Sequence, residues 1–134
     1  MDLKTDSTSW GNYINNAWNI TNSNSKYAIY DDKLDNFDWT SGAYGIKDSD
    51  TMVLLSTGAS DDFSKQGIYD LAGNVIEFTL EHANLISRAM SESPCAIRGG
   101  DYNYNGFFNP AAANRFKSPT FYFNINLGFR VVLY

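Results

Sequence analysis

The chain has 134 residues, 43% hydrophobic and 19% charged, a balance typical of a folded domain and unlike that of a disordered segment. Its net charge of −5 argues against a nucleic-acid surface, because phosphate binding is driven by Lys and Arg that displace counterions. One cysteine, Cys95, and one histidine, His82, exclude an internal disulfide, a zinc cluster and a His-based metal centre.

Residues 1–20 lack the basic-then-apolar order of a secretory signal, and no apolar run reaches the roughly 18 residues that a membrane helix needs. Residues 1–27 are rich in Ser, Thr and Asn and carry Trp10, Tyr13 and Trp18; they read as irregular chain pinned by aromatics. "YDDKLDNFDWT" gathers Asp31, Asp32, Asp35 and Asp38. Their spacing departs from the calcium-loop pattern, so a solvated acidic turn is expected. "TMVLLSTG" predicts a short buried strand or turn ending at Gly58. In "IYDLAGNVIEFTLEH", Ile76, Phe78 and Leu80 alternate with Val75, Glu77 and Thr79, which is strand periodicity. Residues 81–94 have room for one helical turn before Pro94, and "AIRGG" reads as a strand stopped by Gly99 and Gly100.

The closing "GFRVVLY" is apolar on both faces, with Phe129, Val131 and Leu133 on one and Val132 and Tyr134 on the other. It predicts a central strand with Phe129 in the core. The expected class is α+β, mostly irregular with short antiparallel strands, in one domain over 1–134.

Between Gly100 and Gly128 lies an excursion of turn residues, amides and rings. It carries eight aromatics: Tyr102, Tyr104, Phe107, Phe108, Phe116, Phe121, Tyr122 and Phe123. The last three are consecutive and cannot all enter one core. Tyr gives large contact area at low ordering entropy, and Asn supplies both donor and acceptor, the pairing that antibody paratopes use. The segment therefore predicts an exposed ligand-binding surface of Tyr102, Tyr104, Phe107, Phe108, Tyr122 and Phe123, with Phe116 beside them and Asn103, Asn124 and Asn126 as polar neighbours. The competing expectation buries half of the rings as glue between loops. Arg98, Arg115 and Arg130 flank the segment; either they tie loop carbonyls or they recognise a ligand's carboxylate or phosphate.

Three segments in order, "GIYDLAGNVIEFT", "IRGGDY" and "ANRF…NLGFRVV", resemble the C-terminal half of the formylglycine-generating, sulfatase-modifying enzyme family. The resemblance implies a mostly irregular variant of the C-type lectin fold. It also implies a trimmed or minimal version, since the chain is short for that enzyme. The family's enzyme holds copper on two cysteines shortly after the Gly-Gly pair; aligned here, those positions are Tyr104 and Asn109, neither of which offers a soft thiolate. Cys95 falls outside the pattern and is expected as a small, buried apolar residue. The resemblance thus implies a protein without copper or zinc and without the enzyme's activity.

The same "RGG…NR…GFR" frame resembles the variable proteins diversified by retroelements in phages, bacteria and archaeal viruses, in which adenine-directed mutation rewrites Asn codons to Tyr, Ser, Asp, Phe or Ile. That likeness implies a protein or glycan ligand on a cell surface, and an extracellular, cell-surface or virion setting. Oligomeric state is left open. An oxidoreductase and a structural assembly module are the rival expectations. The family resemblance further implies calcium, held by the side chains of Asp70 and Glu77 and the carbonyls of Gly73 and Val75. Calcium takes roughly six to eight oxygens of these kinds. The alternative pairs Glu77 with Arg98 or Arg130 beside a Gly-Asn turn.

Overall fold

A computed structural model describes residues 3–31, 33–41, 45–82 and 94–129. Short strands dominate the described residues. In chain order, a 3-10 turn η1 (Thr8–Trp10) leads to β1 (Gly11–Asn12), β2 (Trp18–Asn19), β3 (Lys26–Asp31), β4 (Asn36–Ser41), β5 (Ile46–Lys47) and β6 (Val53–Leu55). A second turn, η2 (Asp61–Phe63), precedes β7 (Ser64–Lys65), β8 (Ile68–Tyr69), β9 (Ala72–Gly73), β10 (Ile76–His82), β11 (Cys95–Arg98), β12 (Arg115–Ser118) and β13 (Leu127–Phe129).

Two sheets are more than paired fragments. One runs β4-β3-β6 and the other β12-β11-β10-β13. The first was not anticipated. The acidic stretch does turn the chain, with Asp31 Oδ1 accepting the Lys33 N–H (2.8 Å) and Asp35 at φ +48°, but its flanks are the arms of a hairpin. Lys26 and Tyr27, expected as irregular, begin β3. "VLL" forms the fully buried β6 that was expected. Its free edge is closed by amide side chains. Asn74 donates to Leu55 O (2.8 Å) and accepts from Leu55 N–H (3.0 Å), and Asn12 donates to Val53 O. These amides do the work of a missing strand, and that supplies both polar ends of the buried Asn74 and the amide nitrogen of the buried Asn12 with partners, while Asn12 Oδ1 has none among the described residues.

The predicted strands β10 and β11 are present and antiparallel, and β11 stops at Gly99 and Gly100, whose φ of +100° and +70° few other residues adopt. Three features differ from expectation. The strands are not all antiparallel, since β13 pairs with β10 and β1 with β9 in parallel. β12, inside the supposedly irregular excursion, pairs with β11 over four residues. And β13 flanks β10 alone among the described residues, with Phe129 77% exposed instead of in the core. Its ring borders an open cleft with Phe78 and Phe123, so the face expected to be covered is bare. Residues 83–93 and 130–134, and with them the expected helical turn, Arg130 and the rest of the final strand, lie outside the described residues.

Buried apolar residues form three clusters. One centres on Trp18, Val53, Leu55 and Phe63; a second on Ala28, Phe37, Leu54 and Tyr102; a third on Tyr13, Ala72 and Ala111. Trp18 and Tyr13 are the pins expected of the N-terminal segment. Gly73 lets β9 approach β1: a Cβ there would sit 2.4 Å from Asn12 O.

Candidate functional site

The excursion starts from a buried base. After the Gly99–Gly100 turn, Asp101 and Tyr102 are both buried. Asp101 Oδ1 accepts the Asn103 N–H (2.9 Å), and Oδ2 accepts from the side chain of Asn126, so one carboxylate fastens both ends of the segment. Burial raises its pKa, and these hydrogen bonds pull in the opposite direction. Tyr102 is 7% exposed and meets Phe37 edge-on at 5.4 Å. It belongs to the core, which corrects its expected place on the surface. Tyr104 is half-buried against the Tyr13 cluster and Phe116. Asn126 is half-buried and engaged with Asp101.

The first half of the excursion is held by the N-terminal segment. Ser7 N–H donates to Gly106 O (2.9 Å), Ser7 Oγ accepts from Ala111 N–H (3.0 Å), Asn15 Oδ1 accepts from Gly106 N–H (2.9 Å), and Ile14 N–H donates to Tyr104 O (3.0 Å). Tyr13, fully buried, donates its phenol proton to Gly99 O (2.9 Å); burial pushes that phenol up to about 12. None of this was visible in the sequence, where Ser7, Tyr13 and Asn15 read only as polar or aromatic loop.

Past β12 the rings are bare. Phe121 is 80% and Phe123 91% exposed, and Phe108, Tyr122 and Ile125 are exposed with them, as are Phe107 and Phe116. Asn103 and Asn124 are exposed too, and Asn124 Nδ2 donates to Tyr122 Oη (3.1 Å). Two open clefts share Tyr122 and Leu127. One, of about 250 Å³, has Ile76, Ile97, Tyr104 and Phe116 among its walls and Lys117 and Asn126 on its lining. The other, of about 200 Å³, lies among Phe78, Phe123 and Phe129. Both are smaller than the roughly 300–1,000 Å³ of small-molecule sites, and suit single side chains of a larger partner.

Glu81 gathers two of the flanking arginines, with Arg98 and Arg115 each 2.8 Å from its carboxylate. Arg98 also donates to Ala112 O (2.8 Å). This network ties β10, β11, β12 and the excursion together, so both arginines serve the frame. The four expected calcium positions span the β8–β9 turn and β10. Asp70 is buried with Oδ2 accepting the Gly58 N–H (3.0 Å), and Gly73 O accepts the Val75 N–H (2.8 Å). Glu77 stands opposite Arg98 in the β10–β11 register. Among the described residues no three Asp, Glu, His or Cys side chains come together as a metal cage. The Asp70 carboxylate and the Gly73 carbonyl each accept a hydrogen bond within the fold. Cys95 is half-buried and reduced, a looser setting than the buried one expected.

Short strands, two 3-10 turns and a Gly-Gly base carrying an aromatic excursion make a small, strand-rich domain among the described residues. A sequence model of the sulfatase-modifying factor enzyme 1-like domain matches residues 4–134, and the chain belongs to that family. No curated protein and no solved structure matches it. No helix among the described residues is long and apolar enough to cross a membrane.

Proposed function

We propose that this chain is a non-catalytic ligand-binding domain with a C-type lectin-like frame, the variable end of a retroelement-diversified protein. It binds a protein or glycan on a cell surface and works in an extracellular, cell-surface or virion setting. One observation carries the reading: the rings of Phe121, Tyr122 and Phe123, with Ile125, are all exposed on a segment whose two ends are fastened by Asp101. Tyr122 and Phe123 share a cleft with Phe129, and exposed aromatic surface of this kind supports an interaction site; fastened ends keep the entropy of ordering small. The contact residues are Asn103, Phe107, Phe108, Phe116, Tyr122, Phe123 and Asn124, with Tyr104 at the wall of the larger cleft.

The family match itself favours a second reading, an oxidoreductase. That chemistry asks for thiolates, and Tyr104 and Asn109 stand where the sequence alignment puts them. Two experiments separate the readings. The genomic DNA beside the gene should hold an imperfect copy of the codons for 101–130, differing only at adenines, next to a reverse transcriptase; an identical or absent copy removes the diversification. Purified protein should turn over no cysteine-containing peptide when loaded with copper; turnover would restore the enzyme. Calcium at Asp70, Gly73, Val75 and Glu77 would show as a melting temperature that falls with chelator, and an unmoved melting temperature assigns those residues to the turn alone.

A further inference from the structure

A separate cavity, of about 470 Å³, opens where the N-terminal segment meets η2 and Phe107. It is large enough for a small molecule, unlike the two clefts of the aromatic face. Trp18 and Phe63 line it, buried and packed edge-on with ring centroids 5.3 Å apart, and the exposed Phe107 forms a wall.

Its polar groups are unevenly committed. Asn16 spends its amide on Thr8 O (2.8 Å), Gly11 O (2.7 Å) and the Tyr13 N–H (3.1 Å). Asn15 is bound to Thr8 Oγ1 (3.2 Å) and Gly106 N–H (2.9 Å). Two carboxylates remain. Asp6 accepts the Thr8 N–H (2.9 Å), and its hydrogen bonds to Thr8 hold its pKa below the usual carboxylate value, so it stays ionised at neutral pH. Asp62 engages the fold through its backbone, and its carboxylate has no hydrogen bond or ion pair among the described residues. No lysine or arginine lines the cavity. Beside the cavity the Lys65 ammonium rests on Asp62 O (3.4 Å), and the buried Trp18 Nε1 has no partner among the described residues; with the hydroxyls of Thr8 and Ser9, these are the polar groups around two carboxylates and three rings.

We propose that this cavity binds an organic cation, an ammonium or guanidinium on an apolar body, with the body against Trp18, Phe63 and Phe107 and the charge at Asp6 and Asp62. Aromatic faces and carboxylates both attract such a group, and an anion would meet the repulsion of Asp6 and Asp62. The cation belongs either to a free amine or to a Lys or Arg side chain of a partner. The site does not rest on the aromatic face beyond sharing Phe107.

Calorimetric titration of the whole chain with benzyltrimethylammonium, and in parallel with its uncharged tert-butyl analogue, tests this. The cation should bind saturably, more weakly in high salt, and the analogue should not. Asp62→Asn should weaken binding roughly fivefold, the upper range for one exposed charge pair. Tyr122→Ala should leave it unchanged. Circular dichroism of each variant should match the parent, and Phe107→Ala, which spares both carboxylates, gives a second variant should Asp62→Asn misfold. A lysine-containing peptide that outcompetes the free amine names a protein partner as the source; the reverse names a metabolite. Equal binding of the analogue, displacement by a neutral saccharide, no saturable binding, or wild-type affinity in both variants would overturn the proposal.

Discussion

The two halves of the excursion are both rich in rings and asparagine, yet only the first sends rings inward. Residues 101–114 hold Tyr102 in the core and Tyr104 half-buried, with Phe107 and Phe108 exposed farther along, and their backbone is pinned by Ser7, Ile14 and Asn15 from the start of the chain. Residues 119–126 hold Phe121, Tyr122, Phe123 and Ile125 in the open, and their backbone is shaped mostly by its own turns, such as Tyr122 N–H to Pro119 O (3.2 Å) and Leu127 N–H to Asn124 O (3.1 Å). Pinning the backbone is not enough to bury a ring, since Phe107 and Phe108 follow the pinned Gly106 and stay exposed; a ring turns inward only where a covering cluster lies beside it. An aromatic next to Gly99–Gly100 is turned inward beside Phe37, and one beyond β12 meets no covering layer.

The sharpest way to break this contrast is Tyr102→Ala. Removing a ring that packs on Ala28, Phe37 and Leu54 should cost about 3–5 kcal/mol in chemical denaturation; a loss below about 0.5 kcal/mol would make it a surface residue after all. A second large effect appears at alkaline pH. Burial pushes the phenols of Tyr13 and Tyr102 up to about 12, from 10.0. The folded chain keeps protons that the unfolded chain releases, so stability is intact below pH 10 and falls as pH rises toward 12. For Tyr13 the loss is on the order of 2–3 kcal/mol. Denaturation followed across that window, beside the tyrosinate absorbance, should show both transitions together.

Asp101 comes next. Its folded pKa is raised by burial above 3.8, so its contribution to stability is fully present below that value and is lost as pH climbs through the folded pKa, the reverse of an ordinary salt-bridged carboxylate. Asp101→Asn loses charge-assisted acceptance from Asn126 and the Asn103 N–H, at a cost of about 1–3 kcal/mol. The gap between parent and variant should be wider in acid than at neutral pH. A constant gap would mean that Asp101 titrates normally.

The sequence disclosed those parts of the fold whose pattern is local. β6, β10 and β11 announce themselves by apolar runs, alternation and a Gly-Gly stop. β3 and β4 carry the aromatic and β-branched residues of strands, but Asp31, Asp35 and Asp38 drew attention to the turn between them. β12 has little apolar pattern, since three of its four residues are exposed; its strand character comes from pairing with β11. The buried amides of Asn12, Asn16 and Asn74 are the least legible of all. Asparagine reads as turn or surface; Asn12 and Asn74 are buried because the distant backbone of β6 meets their amides, and Asn16 because it bonds the local chain at Thr8, Gly11 and Tyr13. At the site, the same limit applies. Phe107, Phe108, Phe116, Tyr122 and Phe123 are exposed as expected, and Tyr102 is not, because Phe37 and Leu54 reach it from another sheet.

The smallest expected change in stability falls on Phe123→Ala. With the ring 91% exposed, truncation removes almost no buried surface, and stability should move by no more than about 0.5 kcal/mol. If the aromatic face is the contact surface, the same substitution should remove a ring that a partner buries, at about 2 kcal/mol or more of binding free energy. Stability unmoved and binding lost is a combination that a core residue cannot give. Tyr122→Ala offers a graded comparison, because its ring is less exposed and its hydroxyl accepts from Asn124, so it should cost slightly more in folding and as much in binding. Cells or surfaces that capture the parent chain and release both variants would tie the bare half of the excursion to recognition. Undiminished capture by both would return these rings to a role in assembly, which light scattering of the same variants would then reveal as a change in size.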